Sequence, residues 1–421
     1  MSDFKHFVGA EGPLTARLAI VAEKGAADEV KYGRPMVGTT GSMIRAHCAR
    51  AGLDAGSGYG NSVRGERGRQ SQEVWLTNAV HNFNDPYANP NSSDLIREQA
   101  RLYRELAGLP NLNCILSVGA HALASLTNFK YSDILNRRGS RIPSAFGTKM
   151  VCALHPSFYV QGEWRYQPIT QFDFDRAIQE SLTHDLVYKR REYYVGPASI
   201  DEALTWMDEI IKYPHSEYIS FDIETFQGRR GTWYVSCISF SDDPARAFCI
   251  PIMRRNRASY WDSLYDEGLI WRRIQDVLDL PGRRYVTQNG HAFDCWQLHK
   301  HGIATPHMAS GFDTYSAHML LAPDLPHDLG FLVSIYTDEP YYKDESGRAE
   351  EVPVSDEQFW TYNDKDSALT LECAFGIMQD LKDAGMYHDD IRTSKGVDLL
   401  NLSQTGAQNN SERKGISSAS L

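Results

Sequence analysis

Five side chains in the second half of the chain could together do hydrolytic chemistry on a phosphate ester. Asp222 and Glu224 stand two apart in FDIE, Asp294 closes NGHAFD, and Tyr362 and Asp366 stand four apart in YNDKD. Residues two apart on a strand share a face, and residues four apart on a helix are neighbours. Acids fill 54 of 421 positions, so roughly seven acid-x-acid pairs arise by chance and that spacing alone says little. More telling, FDIE sets two ionised groups inside an apolar run, where carboxylates are costly unless paired or metal-bound. Asp294 likewise sits among Phe293, Trp296 and Leu298. Two acids from a strand and one from each of two helices make an all-oxygen ligand set suited to two divalent ions, Mg2+ or Mn2+. Such ions about 3.5–4 Å apart stabilise the attacking and leaving oxygens of a phosphodiester. Tyr362, one helical turn before Asp366, is placed to hydrogen-bond the attacking water.

A second set lies in the first half. Glu23, Asn78 and His155 each fall at or just past the end of an apolar run, in LAIVAE, VWLTNAV and MVCALHPS. Open α/β sheets bind ligands at the carboxyl ends of their strands. Lys31, Arg34 and the glycines at 33, 38 and 41 could meet a phosphate through backbone N–H groups at a helix start, or form a plain tight turn. Asn289, in the QNG turn ahead of Asp294, is a further candidate nucleic-acid contact. Arginine groups at 64/67/69, 137/138/141 and 254/255/257, with Lys189/Arg190/Arg191, could track a DNA backbone or simply be solvated.

The elements that must carry these residues are visible as hydrophobic patterns. Strands are expected at 18–23, 74–80, 113–119 and 150–154, with a helix around 44–50 and an amphipathic one at 94–109. Strands separated by helices imply a mostly parallel sheet covered on both faces. A polar, basic stretch at 182–195 marks a boundary. Beyond it, Ser199 caps a helix, with Glu202 completing a capping box. Strands at 217–225, 233–240 and 285–289 and helices at 269–278, 291–302 and 358–381 come after it. The expected division is 1–186, 187–390 and a polar tail, 391–421, whose composition favours disorder.

Composition narrows the setting. The chain is 42% hydrophobic and 23% charged, ordinary for globular protein. Its longest charge-free apolar stretch, Asn113–Leu126, is 14 residues, whereas a membrane span needs about 20. The start lacks the apolar core of a secretory signal, and seven cysteines form no CxxC pair, which points to a reducing cytoplasm and no membrane. The net charge of −11 is uneven: residues 1–186 hold 20 basic and 18 acidic side chains, residues 187–421 hold 23 and 36. The acidic excess therefore lies in the half that carries the proposed metal ligands, and does not by itself exclude a nucleic-acid partner.

FDIET, NGHAFD and YNDKD, in that order and about 70 residues apart, resemble the three motifs of DEDDy 3′–5′ exonucleases. FDTYSAHMLLAPDLPHDLGFLVSIYTDEPYYKDE at 312–345 is similar to the connecting region in the proofreading part of phage and bacterial polymerase I-type enzymes. The resemblance covers about 190–385. It implies an RNase H-like mixed sheet, metal ligation by Asp222, Glu224, Asp294 and Asp366, and Tyr362 as the catalytic tyrosine. Polymerase motifs are absent, so the resemblance implies the front part of a phage polymerase, standing alone or partnered by a separate polymerase chain.

IVAEKGAADEVKYGRPMVGTTGSM, LTNAVHNFNDP and ALHPSF resemble the uracil-DNA glycosylase superfamily, over about 15–165. That implies a three-layer α/β/α parallel sheet, Glu23 as the water-positioning acid, Asn78 as the uracil-reading amide and His155 at the developing uracil anion. The sequence departs from the family: AEKGA replaces GEAPG, Met36 replaces a stacking phenylalanine, and the four cluster cysteines are missing, so no iron–sulfur cluster is expected. The resemblance implies either uracil excision or a DNA-binding domain without it.

Overall fold

The computed structural model describes residues 4–58, 68–228, 232–346 and 354–387. The expected tail at 391–421, Arg64 and Arg67 lie outside the described residues. The chain gathers into two compact units: one runs to Lys189 and takes in Asp338–Tyr341, and the other runs from Arg190 to Thr337 and resumes at Tyr342.

The first unit is built on a five-stranded sheet. Its strands are β1 (Leu18–Lys24), β2 (Val74–Val80), β3 (Cys114–Val118), β4 (Arg141–Pro143) and β5 (Lys149–Ala153), in the order β2-β1-β3-β5-β4. All pairings are parallel except β4 with β5. Every residue of β3 and β5 is buried, the near-continuous apolar pattern required of strands covered on both faces. Helices α1 (Ala27–Tyr32), α2 (Thr39–Arg50), α3 (Ser92–Ala107), α4 (Ala120–Leu126), α5 (Pro156–Val160) and α6 (Gln167–Glu180) accompany the sheet. One apolar cluster joins Val21, Leu102, Leu123 and Ile115, and another joins Ile20, Ile44, Leu116 and Phe174. The chain leaves β1 for β2 on one side and then crosses to β3 on the other, so the sheet changes direction between β1 and β3.

The second unit carries a six-stranded mixed sheet: β6 (Glu192–Tyr194), β7 (Tyr218–Gln227), β8 (Trp233–Asp243), β9 (Arg246–Pro251), β10 (Arg284–Thr287) and β11 (Phe312–Asp313), in the order β11-β10-β7-β8-β9-β6. β7, β8 and β9 form an antiparallel meander, whereas β10 runs parallel to β7 and β11 parallel to β10. The sheet is mixed, as the sequence predicts for this half of the chain. Helix α7 (Ile200–Lys212) starts at Ser199, whose Oγ accepts from Glu202 N at 3.2 Å. The Glu202 carboxylate reaches Ala198 N at 2.7 Å, one residue further out than a closed capping box requires.

The same unit holds helices α8 (Leu264–Leu278), α9 (Asp294–Lys300), α10 (Thr314–Leu321) and α11 (Leu329–Tyr336), and the long α12 (Asp356–Asp383). Small hydroxyl residues let α12 approach the sheet closely. Ser220 Oγ donates to Ser367 O at 2.7 Å, Ser367 Oγ donates to Ser239 O at 3.0 Å, and Ser239 Oγ donates to Asp364 Oδ1 at 2.5 Å. Among the described residues no helix is long and apolar enough to cross a membrane.

Candidate metal centre

In the second unit the sheet and α12 bring three carboxylates together. Oxygens of Asp222 and Glu224 on β7 and of Asp366 on α12 lie within 4.8 Å of one another. A bulge helps aim them: Val235 of β8 faces Thr225 and Cys237 faces Glu224, so Ser236 is an extra residue opposite the site. Bulges of this kind bend a strand and redirect side chains beside functional sites. Asn363, wholly buried on α12, donates from Nδ2 to Asp222 Oδ2 at 2.8 Å and so fixes that carboxylate.

Asp294 reaches the same strand from a second helix. It lies at the first residue of α9, and its Oδ1 accepts from Ile223 N, between the two β7 acids, at 3.1 Å. It stands outside the tight group of three. Asn289 holds the turn before it in left-handed backbone (φ 59°), and Gly290 N donates to Asp313 Oδ2 at 2.9 Å. Asn289 is placed in the turn that positions Asp294.

Crowding of these acids is visible in their protonation. Burial, followed by the charges of Asp294, Asp366 and Glu224, pushes the Asp222 carboxyl well above the usual carboxylate range, with Lys343 acting the other way. Burial raises Asp294 to about 7, against two backbone hydrogen bonds, from Ile223 and its own N–H, that favour the charged form. A donor set that is all oxygen and short of positive charge is what a hard divalent cation fits.

Tyr362 lies one turn before Asp366 and is 4% exposed. Its hydroxyl accepts from Lys343 Nζ at 3.1 Å, and the same ammonium lies 2.6 Å from Asp366 Oδ1. Tyr342 donates to that oxygen as well, at 2.5 Å. Neither Lys343, Tyr342 nor Asn363 stands out in the sequence: the first two lie in the connecting segment and the third is a neutral residue inside YNDKD, and only the folded approach gives each its partner.

In the first unit Glu23 is the penultimate residue of β1, Asn78 lies near the end of β2 and His155 caps α5 after β5, so all three lie at or just past carboxyl ends of strands. Glu23 Oε1 accepts from His121 N at 3.2 Å and lies 3.0 Å from His121 Nδ1. Burial opposes its charge, yet His121 and His155 together hold the carboxyl below its usual range. Gly119 (φ 97°) is required beside it, because a Cβ there would come within 2.5 Å of Glu23 Oε1. His155 Nδ1 accepts from Ser157 N at 3.2 Å and meets Ser157 Oγ at 2.7 Å, and burial keeps the imidazole neutral to lower pH than usual.

Asn78 is 1% exposed, and among the described residues neither its amide oxygen nor its amide nitrogen meets a partner in hydrogen-bond geometry. The Glu29 carboxylate is its polar neighbour, close enough for the amide to favour the charged form. From α3, Arg101 clamps the strand end by donating to the carbonyls of Asn78 and Ala79 at 2.9 and 2.7 Å.

Met36 is 2% exposed in left-handed backbone (φ 54°), an outlier conformation for a bulky residue. The Glu29 carboxylate accepts from its N–H and Arg45 Nε donates to its carbonyl at 2.8 Å, so the loop is fixed from both sides. Arg34 is engaged by Glu11, at 2.6 and 2.9 Å, and by the carbonyls of Gly68 and Arg69 at 2.8 Å each; the geometry gives its guanidinium a structural task. Lys31 is exposed, with its ammonium over the Tyr32 ring.

No protein-family model and no curated protein matches the chain. Among solved structures it is similar to the catalytic core of RRP6 from Trypanosoma brucei, with 14% identity, 48% of this chain, 51% of that chain and a TM-score of 0.36. It is similar also to the Aedes aegypti Nibbler EXO domain, with 15% identity, 48% and 94% coverage and a TM-score of 0.36. A third is Escherichia coli RNase D, described as an exoribonuclease involved in structured RNA processing, with 15% identity, 47% and 46% coverage and a TM-score of 0.33. The chain spans about half the length of the trypanosomal structure.

Proposed function

We propose that the second unit is a metal-dependent 3′–5′ exonuclease that acts on DNA, on single strands or frayed ends. The observation that carries this is the meeting of Asp222, Glu224 and Asp366 within 4.8 Å beside Tyr362. Asp222, Glu224 and Asp366, with Asp294 beside them, would hold divalent ions, Mg2+ or Mn2+. Such ions, when bound, supply Lewis-acid charge at the attacking and leaving oxygens of the phosphodiester. The residues do the rest. Asn363 keeps Asp222 aimed at the site, the Asn289 turn sets Asp294, and Tyr362 orients the attacking water against the terminal phosphate. Partner-held carboxylates and a fixed tyrosine suit positioning and electrostatics, which dominate phosphoryl-group chemistry.

The test is a 5′-labelled single strand, offered as DNA and as RNA, incubated with Mg2+ or Mn2+. A ladder shortening from the 3′ end that EDTA abolishes supports the reading. Digestion of RNA alone would reassign the substrate, and no product on either strand, or product unchanged in Asp222→Ala, would overturn it.

For the first unit the second reading is uracil recognition in DNA, with or without base excision. It is favoured by Asn78, a buried amide whose donor and acceptor meet no protein partner in hydrogen-bond geometry among the described residues and which stands at the strand ends with Glu23 and His155. A flipped base offers a complementary edge to such an amide. A uracil-containing oligonucleotide treated with the protein and then alkali tests excision; cleavage equal to that with Asn78→Ala rejects it. A separate polymerase chain as partner belongs to the same replication setting, and co-purification would test it.

A further inference from the structure

The ammonium of Lys343 reaches into the carboxylate site, 2.6 Å from Asp366 Oδ1. The residue sits on a short 3-10 turn, Lys343–Ser346, directly after Tyr342. The turn is fastened to α12 by Lys365, which donates to Glu345 Oε2 at 2.6 Å, and is closed by Glu345 N donating to Tyr342 O at 2.8 Å. Lys343 Nζ lies over the faces of Tyr342 and Tyr362, 5.1 and 5.0 Å from the ring centroids, where ring quadrupoles attract a cation. Its side chain is only 22% exposed. The ammonium is therefore held in place.

An ammonium has three donors and no acceptor. In the contacts at 2.6 Å with Asp366 Oδ1 and 3.1 Å with Tyr362, Lys343 must donate in both, so the tyrosine oxygen accepts and its own proton is turned away from the lysine. Asp366 Oδ1 also accepts from Tyr342. Two donors, one of them charged, thus lie on a ligand oxygen of the group that would share a divalent ion. Cations at such separations in a partly buried site repel strongly.

We propose that Lys343 is the resident counter-ion of the carboxylate site. It neutralises Asp366 until metal binds, and must withdraw from Asp366 Oδ1 for metal to bind, while staying against Tyr362 as a positioning residue for that hydroxyl. This rests on the reading that the carboxylates bind divalent metal, and not on the nucleic-acid chemistry assigned to them.

Calorimetric titration of the full chain with Mn2+ alone tests it. Lys343→Met and Lys343→Gln should bind Mn2+ on the order of tenfold more tightly than the wild type, because a competing charge is gone. Lys343→Arg, which keeps the charge, should stay close to the wild type. Without metal at neutral pH, the Met and Gln variants should melt below the wild type, and saturating Mn2+ should close most of that gap. If Lys343→Met fails to fold, Lys343→Gln, neutral but still able to donate hydrogen bonds, decides the question. Unchanged or weaker Mn2+ binding in the neutral variants overturns the proposal. Absence of Mn2+ binding in the wild type overturns both it and the metal reading. Tighter binding in the variants, with no digestion of any strand by the wild type, would leave this proposal standing and remove only the exonuclease.

Discussion

Metal should stabilise this protein more as pH rises. Folded, Asp294 keeps its proton up to about 7, against 3.8 for the same group in water. It is 4% exposed, so solvent screening offers little relief. Across that window the folded state binds more protons than the unfolded state, so stability is full below about pH 4 and falls as pH rises towards 7. At about 1.4 kcal/mol per pH unit, this carboxyl alone accounts for about 4 kcal/mol of that loss. Asp222 is pushed the same way by burial and by the neighbouring acids. Burial also raises Glu29, Asp173 and Asp364, so the slope in metal-free buffer does not belong to this site alone.

The part that depends on metal does belong to it. A bound divalent ion keeps the carboxylates ionised and offsets the loss. At a hundred times its dissociation constant, such an ion contributes about 2.7 kcal/mol. For a unit of this size that is about 5–10 °C in Tm. Scanning calorimetry with EDTA or saturating Mg2+, at about pH 5 and about pH 8, reads the difference directly. The expected result is a large metal-induced rise at the higher pH, a small one at the lower, and neither in Asp222→Ala. A rise equal at both pH values, or no rise, would break the link between these carboxyls and metal.

Other consequences are narrower. Asn363→Leu removes the hydrogen bond that fixes Asp222 and should lower metal-dependent turnover by roughly 10–100-fold while circular dichroism stays native. Asp173→Asn removes the buried carboxylate charge that Arg138 faces, at 1% and 0% side-chain exposure for the pair, and should cost about 3–5 kcal/mol in urea unfolding. Asn78→Leu replaces an amide without good partners and should be neutral or stabilising in the same assay, since apolar replacement of an unsatisfied polar group costs little; a loss above about 2 kcal/mol would show a structural bond instead.

Much of the scaffold is legible in the sequence because burial writes itself as pattern. The strand at 74–80 and the runs beginning at 18 and 233 read directly as apolar segments, and α12 starts two residues earlier than its pattern because Ser355 caps it, accepting from Gln358 N at 3.1 Å. β9 is not legible: RAFCIP is short, and a short apolar run does not distinguish strand from helix. Nor is α6, since its buried face includes Thr170 and Asp173, the latter made tolerable by Arg138 from another element. The acids of the site are legible through their unusual place in apolar runs. Lys343 is not, because nothing in its local sequence says that a turn 19 residues ahead of Tyr362 folds back onto Asp366. Arg34 shows the converse: beside glycines it reads as a phosphate contact, but Glu11, distant in sequence, engages it.

If Asp222, Glu224 and Asp366 hold metal for removal of nucleotides from a 3′ end, the reaction must need the acids, the ion and a free terminus together. The rate of mononucleotide release from a single DNA strand with an open or a blocked 3′ end, by wild type and Asp222→Ala, with Mg2+ or with EDTA, measures all three requirements at once. Release is expected only from the wild type, only with Mg2+ and only from the open end. Release from the blocked strand, in EDTA, or by the variant at the wild-type rate would show that these carboxylates do not do this chemistry.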